Sequence, residues 1–168
     1  MSGEAAAVGE LDRFAVPSEP GNERLVISRV ADAVADRGLT VDQIERLKTA
    51  VSEATMNAIE HGNENRAAVP VEIEVRRTEG YVIVEICDRG GDRAARAEAE
   101  EPDLKLKLDG LQTPRGWGLF LIHNMVDAMD VTSDGELHTV RLSMRVGGAD
   151  EHVAGANGSE GGTDDEQL

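Results

Sequence analysis

The sequence predicts an α+β fold, a two-layer sandwich in which a mixed, mainly antiparallel sheet carries helices on one face. Three observations predict it. Two apolar patterns with helical spacing fall between residues 23 and 62, two strand–turn–strand patterns follow at 71–87 and 129–146, and a third helical pattern lies between those hairpins. The chain has 168 residues, 40% of them apolar, which is enough for one domain with its own core.

Helical spacing predicts the helices one by one. The first, over residues 23–36, has this apolar stripe: Leu25, Val26, Val30, Ala33, Val34. The second begins after Thr40, because Gln43 three residues later completes the signature of a capping box. It ends near Gly62, and its stripe is Ile44, Leu47, Val51, Ala54 and Ala58. A third helix begins near Gly116, and we expect His123, on this apolar helix, to pack in the core.

Alternation of apolar and polar residues predicts the strands. A short strand covers residues 11–16. An antiparallel hairpin joins residues 71–75 to 81–87 through a turn at Glu79-Gly80, and a last hairpin runs over 129–146 around Asp134-Gly135. We expect a domain over residues 11–146, a loose start over 1–10, and a disordered acidic, glycine-rich tail over 147–168.

Charge and cysteine content exclude several classes of protein. The formal net charge of -16 repels phosphate backbones and anionic lipids, so we expect neither direct nucleic acid binding nor membrane binding. A single cysteine, Cys87, precludes an internal disulfide. The sequence has neither the pattern of a signal peptide nor an apolar run long enough to cross a bilayer, which predicts a cytoplasmic protein.

The first candidate site residues are Glu53 and Asn57, in the segment VSEATMNAIEHG. They are four residues apart, so they share one face of the second helix. A carboxylate can accept a proton, and an amide oxygen is a hard ligand suited to Mg²⁺. The alternative is a solvated glutamate beside an asparagine without a function.

A second candidate is the segment CDRGGD, in which Asp88 follows a buried strand. A carboxylate there can accept a hydrogen bond from an exocyclic amine such as the adenine amino group. Gly90 and Gly91 allow backbone to approach a flat ligand closely. The alternative is an ordinary tight turn.

The third candidate is TPRGWGLFLI, where Gly116 and Gly118 open a helix. Free N–H groups and the positive end of the helix dipole favour phosphate at this position. Arg115 beside them can reach a terminal phosphate. The alternative is a helix start with two flexible glycines.

The three segments, in this order, resemble the N box and the two glycine boxes of the GHKL ATPase superfamily, which includes sensor histidine kinases, type II topoisomerases and heat-shock chaperones. EATMNAIEHGNE is particularly similar to the small anti-sigma-factor serine kinases of bacteria. The resemblance covers roughly residues 11–146. It implies the histidine-kinase and chaperone type of ATPase fold, with residues 92–115 as the ATP lid.

The resemblance also implies roles for individual residues. Glu53 is then the general base for the hydroxyl of a protein substrate, and Asn57 holds the Mg²⁺ that bridges the phosphates of ATP. The implied nucleotide-binding residues are Asn57, Asp88, Gly90, Arg115, Gly116, Gly118 and Leu119. One departure is Asp92, which stands where the family usually has a second glycine, with Gly91 one place earlier.

The implied function is that of an anti-sigma factor and protein-serine kinase using ATP and Mg²⁺. Its partners are then a sigma factor and an anti-anti-sigma protein, and the chain is a homodimer. One alternative is a non-catalytic, nucleotide-gated binding module of the same fold, against which the presence of Glu53 argues. Another is a detached histidine-kinase catalytic domain, which is disfavoured because no helical segment with a phosphoacceptor histidine precedes the domain.

Overall fold

The computed structural model describes residues 8–91 and 114–147, with side chains from residue 118 onward in the second range. The elements are β1 (Gly9–Val16), α1 (Glu23–Val34), α2 (Val41–Asn57), a one-turn π-helix (Ala58–Gly62), β2 (Val71–Arg77), β3 (Tyr81–Asp88), α3 (Pro114–Met125), β4 (Ala128–Asp134) and β5 (Leu137–Arg145). The five-stranded sheet has the order β1-β2-β3-β5-β4, and its four described pairings are antiparallel. The predicted α+β class is confirmed.

The start of β1 corrects the expectation of a loose segment over residues 1–10. The strand begins at Gly9, which pairs with Arg77, and Glu10 pairs with Arg76. The register then shifts between Glu10 and Asp12, as in a β-bulge. Because of the bulge, the hydrogen-bonded pairing of β1 with β2 continues as far as Arg77, the last residue of β2. The alternation of apolar residues in β1, from which the sequence analysis predicted the strand, covers only the part that follows Glu10. Residues 1–7 lie outside the described part of the chain.

One face of the sheet forms the core with the helices. Alternate residues of β2 and β3 are buried, and α1 turns three valines towards them at helical spacing. The fully buried large side chains include Leu47, Ile59, Ile73, Ile86, Ile122, Leu142, Met144, Val26, Val30, Val34 and Val51. These side chains are aliphatic apart from Met144, as the 2% aromatic content of the chain favours, and the same set of large, fully buried residues also includes His138.

The opposite face of the sheet is charged. Glu74 lies 3.2 Å from Arg13 and 3.5 Å from Arg76, and Glu85 lies 2.9 Å from Arg76 and 2.7 Å from Arg141. Because such partly exposed ion pairs contribute little to stability, this ladder serves mainly to keep the face solvated. The candidate site residues are therefore to be found on the helical side and at the strand ends.

The start of α2 is fixed by the predicted capping box. Thr40 Oγ1 accepts a hydrogen bond from Gln43 N at 3.1 Å, and Gln43 Oε1 accepts one from Thr40 N at 2.9 Å. Gln43 Nε2 also donates to Arg145 O at 2.7 Å, at the end of β5. Since β5 and β3 are antiparallel and Arg145 pairs with Tyr81, α2 runs from this end of the sheet towards Asp88.

A buried asparagine connects the end of the π-helix to the residue that follows β3. Asn63 is fully buried, and its Nδ2 lies within 2.9–3.1 Å of Ser18 Oγ, Val69 O and Pro70 O. Its Oδ1 accepts a hydrogen bond from Arg89 N at 2.7 Å. One side chain therefore joins three loops and fixes the backbone next to Asp88.

We predict that Asn63→Ala lowers the free energy of unfolding by about 1–3 kcal/mol, because it removes a fully buried side chain together with its hydrogen bonds to Arg89 N, Ser18 Oγ and Pro70 O. Denaturant unfolding measures the change. Asn124→Ala is the matched control, since Asn124 is exposed and its Nδ2 donates to Phe120 O at 2.8 Å. The control should stay within about 0.5 kcal/mol of the wild type. Equal stabilities of the two variants would contradict the prediction.

Candidate nucleotide-binding site

The start of α3 lies directly against the predicted catalytic face of α2. Glu53 and Asn57 are both half-buried on α2, and Gly118 is buried on α3. A Cβ at Gly118 would lie 3.2 Å from Glu53 Oε2 and 3.4 Å from Asn57 Nδ2. The structure thus brings together three residues that the sequence predicted from two separate motifs. A side chain at Gly118 would crowd the Glu53 carboxylate and the Asn57 amide, so glycine leaves the most room at this contact.

The amide of Asn57 fits a ligand. Its Nδ2 is buried, yet it has no hydrogen-bond partner among the described residues. Buried polar groups nearly always have a partner, so this amide is available to a phosphate oxygen or, through its oxygen, to a cation. No cluster of three or more His, Cys, Asp or Glu side chains suited to a metal is found among the described residues.

Asp88 ends β3 at the opposite end of the π-helix, and its carboxylate is held on both oxygens. The residue is only 3% exposed. Oδ1 accepts a hydrogen bond from Gly90 N at 2.7 Å, and Oδ2 lies 3.0 Å from His138 Nδ1 on β5. A carboxylate offers about four acceptor positions, so two of them are left for a ligand.

Gly62 is a residue of this corner that the sequence analysis recognised only as the end of a helix. A Cβ at Gly62 would lie 2.5 Å from both carboxylate oxygens of Asp88, so the π-helix can pack against that carboxylate only through a glycine. π-Helical turns are frequent at functional sites. No local signal in the sequence distinguishes Gly62 from an ordinary C-terminal glycine, because its partner lies 26 residues away.

The structure explains why the second glycine of the CDRGGD segment is at position 91 and not at position 92, where the resemblance places it. Gly91 has a φ of 53°, in the left-handed region, and a Cβ there would lie 2.8 Å from Gly135 C and 3.1 Å from Glu136 C in the β4–β5 turn. Both the backbone conformation and the close approach require glycine. Gly91 therefore fixes the loop against its neighbouring hairpin, while Gly90 binds Asp88.

The remaining predicted site residues are only partly within the described structure. Gly116 lies in the first turn of α3, and Leu119 packs half-buried against the core. The side chain of Arg115 and most of the predicted lid, residues 92–113, lie outside the described residues, as does the tail from residue 148. The expectation for His123 was wrong: it is exposed, because it lies on the side of α3 away from Ile122.

Comparison with known proteins identifies the family. The histidine kinase-like ATPase domain matches residues 16–144 of this chain. The chain belongs to the histidine kinase-like ATPase family. Two relatives of this ATPase domain are named anti-sigma F factors. That of Clostridium beijerinckii is 36% identical over 117 residues, which cover 70% of this chain and 80% of the relative, and that of Bacillus subtilis is 32% identical over 123 residues, which cover 73% and 83%.

Solved structures support the fold of this ATPase domain. The SiaB–SiaC complex from Pseudomonas aeruginosa matches with a TM-score of 0.56 and 16% identity over 80% of this chain and 89% of that one. The RsbU and RsbW domains of a Mycobacterium tuberculosis protein match with a TM-score of 0.53 and 18% identity over 80% of this chain and 32% of that chain. Because the chain belongs to an ATPase-domain family, ATP is the nucleotide expected in this site. No described helix is long and apolar enough to cross a membrane.

We predict that Asp88→Asn weakens ADP binding by about 1.5–3 kcal/mol while the fold is kept, because a hydrogen bond to a charged acceptor is lost. The asparagine oxygen can still accept from Gly90 N, and His138 can change tautomer to accept from the new amide. Isothermal calorimetry with ADP measures the effect. Asp130→Asn, at an exposed position on β4, is the control. Unchanged ADP affinity in Asp88→Asn would exclude Asp88 from the base pocket.

Proposed function

We propose that the protein is a Mg-ATP-dependent serine/threonine protein kinase and anti-sigma factor. It binds a sigma factor and phosphorylates an anti-anti-sigma protein on a hydroxyl side chain. The observation that carries the catalytic part is the position of Glu53, one helical turn before Asn57 and directly under Gly118. The relatives named anti-sigma F factor support the regulatory part.

The arrangement divides the site into a base end and a phosphate end. Asp88, Gly90 and Gly62 form the end that would receive adenine, and Asn57 with the first turn of α3 forms the end that would receive the phosphates. The N–H groups of that first turn favour anions. Bound Mg²⁺ would neutralise phosphate charge at Asn57. Phosphoryl transfer then needs chiefly positioning, which the contact between α2 and α3 would supply.

Glu53 has the role of proton acceptor in this proposal. Its carboxylate is half-buried, and its Oε2 is the atom nearest to a hypothetical side chain at Gly118. Nucleotide binding alone requires no carboxylate there, because a negative group beside phosphates opposes their binding. An incoming hydroxyl does require one, since its proton must leave as the phosphoryl bond forms.

The proposed partners are proteins. The strongly acidic chain, with a net charge of -16, favours a basic protein surface over nucleic acid. Sigma factors act in the bacterial cytoplasm, which is where we place this protein. We also propose a homodimer, which sedimentation velocity tests directly: a single species with the mass of one chain of 18.0 kDa would refute it.

We predict that Mg²⁺ strengthens ATP binding through Asn57. Wild-type protein should bind ATP several-fold more tightly in Mg²⁺ than in EDTA, and Asn57→Ala should largely remove that difference, because the buried amide is lost as a ligand. Calorimetric titrations under both conditions give the ratio. The same ratio in the variant as in the wild type would remove Asn57 from the metal site.

We predict that Glu53→Ala abolishes phosphate transfer to a serine-bearing partner while ATP affinity stays nearly unchanged. A positioned general base contributes about 10²–10⁴-fold in rate, so the loss falls on turnover. The measurement uses labelled ATP and a candidate anti-anti-sigma protein. The variant should still bind the sigma factor.

Glu45→Ala is the matched control for this experiment. Glu45 lies two turns earlier on α2, is exposed, and pairs with Lys48 at 3.2 Å, so its loss should leave transfer at the wild-type rate. A Glu53→Ala variant that transfers phosphate normally would place the base elsewhere. A wild-type protein that transfers no phosphate to any cognate partner would favour the nucleotide-gated binding module.

A further inference from the structure

His138 is a buried histidine to which the proposed reaction gives no role. It is 1% exposed, lies on β5, and pairs across the sheet with Asp88 of β3. Its Nδ1 lies 3.0 Å from Asp88 Oδ2. Because an ionised carboxylate has no hydrogen to donate, the hydrogen of this contact belongs to His138 Nδ1.

The Asp88 carboxylate is fixed on three sides. Gly90 N binds Oδ1 at 2.7 Å, His138 Nδ1 binds Oδ2, and the backbone of Gly62 packs so closely that a Cβ there would lie 2.5 Å from both oxygens. Each of these contacts restricts rotation of the carboxylate. His138 is the only one of the three that is a side chain, so it is the contact that substitution can remove without changing the backbone.

We propose that His138 is a positioning residue that sets the base selectivity of the nucleotide site. This inference rests on the proposed function, in which Asp88 accepts a hydrogen bond from the 6-amino group of adenine. The donor at Nδ1 holds Asp88 as a fixed acceptor with both oxygens partnered inside the protein. A purine with an amino group at carbon 6 then gains a hydrogen bond, and a purine with an oxo group or hydrogen there does not.

The selectivity arises from preorganisation. Without the Nδ1 donor, Oδ2 is a buried acceptor lacking that partner, and only Gly90 N and the packing of Gly62 still restrict the carboxylate. The bond to the 6-amino group then has to be formed at the cost of ordering the carboxylate, and part of its contribution is lost. The contribution of the ribose and phosphates to the binding affinity should not change, because Asp88 does not contact them in this proposal.

The experiment compares ADP with purine riboside diphosphate, which lacks only the 6-amino group. Calorimetry gives the ratio of the two dissociation constants for the wild type and for variants at His138. We expect a clear ADP preference in the wild type, and a reduction of that preference by about tenfold in His138→Leu, the scale of one hydrogen bond to a charged group. His138→Asn should restore most of the preference, because its amide nitrogen falls near the position of Nδ1.

Val140→Ala is the matched control, since Val140 is a 4%-exposed core residue on the same face of β5 two positions later. It should lower the melting temperature and leave the ADP preference unchanged. If His138→Leu does not fold, His138→Gln replaces it, because its amide lies one bond further out and misses the Nδ1 position. The ratio of the two dissociation constants, measured for His138→Gln, then tests the role of His138.

Two results would overturn the inference. If His138→Leu, or His138→Gln in its place, prefers ADP as strongly as the wild type does, then His138 does not position Asp88 for adenine. If Asp88→Asn loses the preference in the same assay, the proposed function survives and only the role of His138 falls. A wild type without any ADP preference would remove both the adenine contact of Asp88 and the role of His138, while the phosphate transfer assay on Glu53 still tests the kinase.

Discussion

The site depends on one constraint, which is close packing around the C-terminal half of α2 and the π-helix that follows it. Two other parts of the chain lie against these helices. At Gly62 the π-helix packs against the carboxylate of Asp88, and at Gly118 the start of α3 packs against Glu53 and Asn57. The approach at Gly62 requires a residue without a Cβ, and at Gly118 a Cβ would be in tight contact with both side chains. The capping box at Thr40, tied to Arg145 O through Gln43, sets the direction in which the helix reaches both contacts.

Buried polar side chains make the base end of the site rigid. Asp88 is stable at 3% exposure because its oxygens have donors in Gly90 and His138, and a buried charge without partners is very costly. Asn63 adds a second support by binding the N–H of Arg89 next to it. The phosphate end differs, since the buried Nδ2 of Asn57 has no partner among the described residues. The carboxylate at the base end is thus held by donors within the protein, whereas the Asn57 amide at the phosphate end is not held by any described residue through Nδ2.

Elements whose signals are local were predicted well. The capping box at Thr40, the two hairpins and most of the helical stripes depend on residues within a few positions of one another, and the structure contains them. Leu25, which the sequence placed in the apolar stripe of α1, is instead exposed. The start of β1 at Gly9 was missed because the strand is extended by pairing with Arg76 and Arg77, which lie more than 60 residues later in the chain. Exposure of His123 was missed for a related reason, since the direction of a helix face is set by what the helix packs against.

The sequence by itself determined the fold class, the order of the elements and the helix face shared by Glu53 and Asn57, because periodicity and fixed spacing are properties of the chain alone. Only the tertiary structure decided that Gly118 covers that face, that Gly62 touches Asp88, and that His138 holds its carboxylate. Asp88 and His138 are 50 residues apart, and Asn63 and Arg89 are 26 apart. Contacts at such separations exist only once the sheet register and helix packing bring the residues together, so no local pattern encodes them.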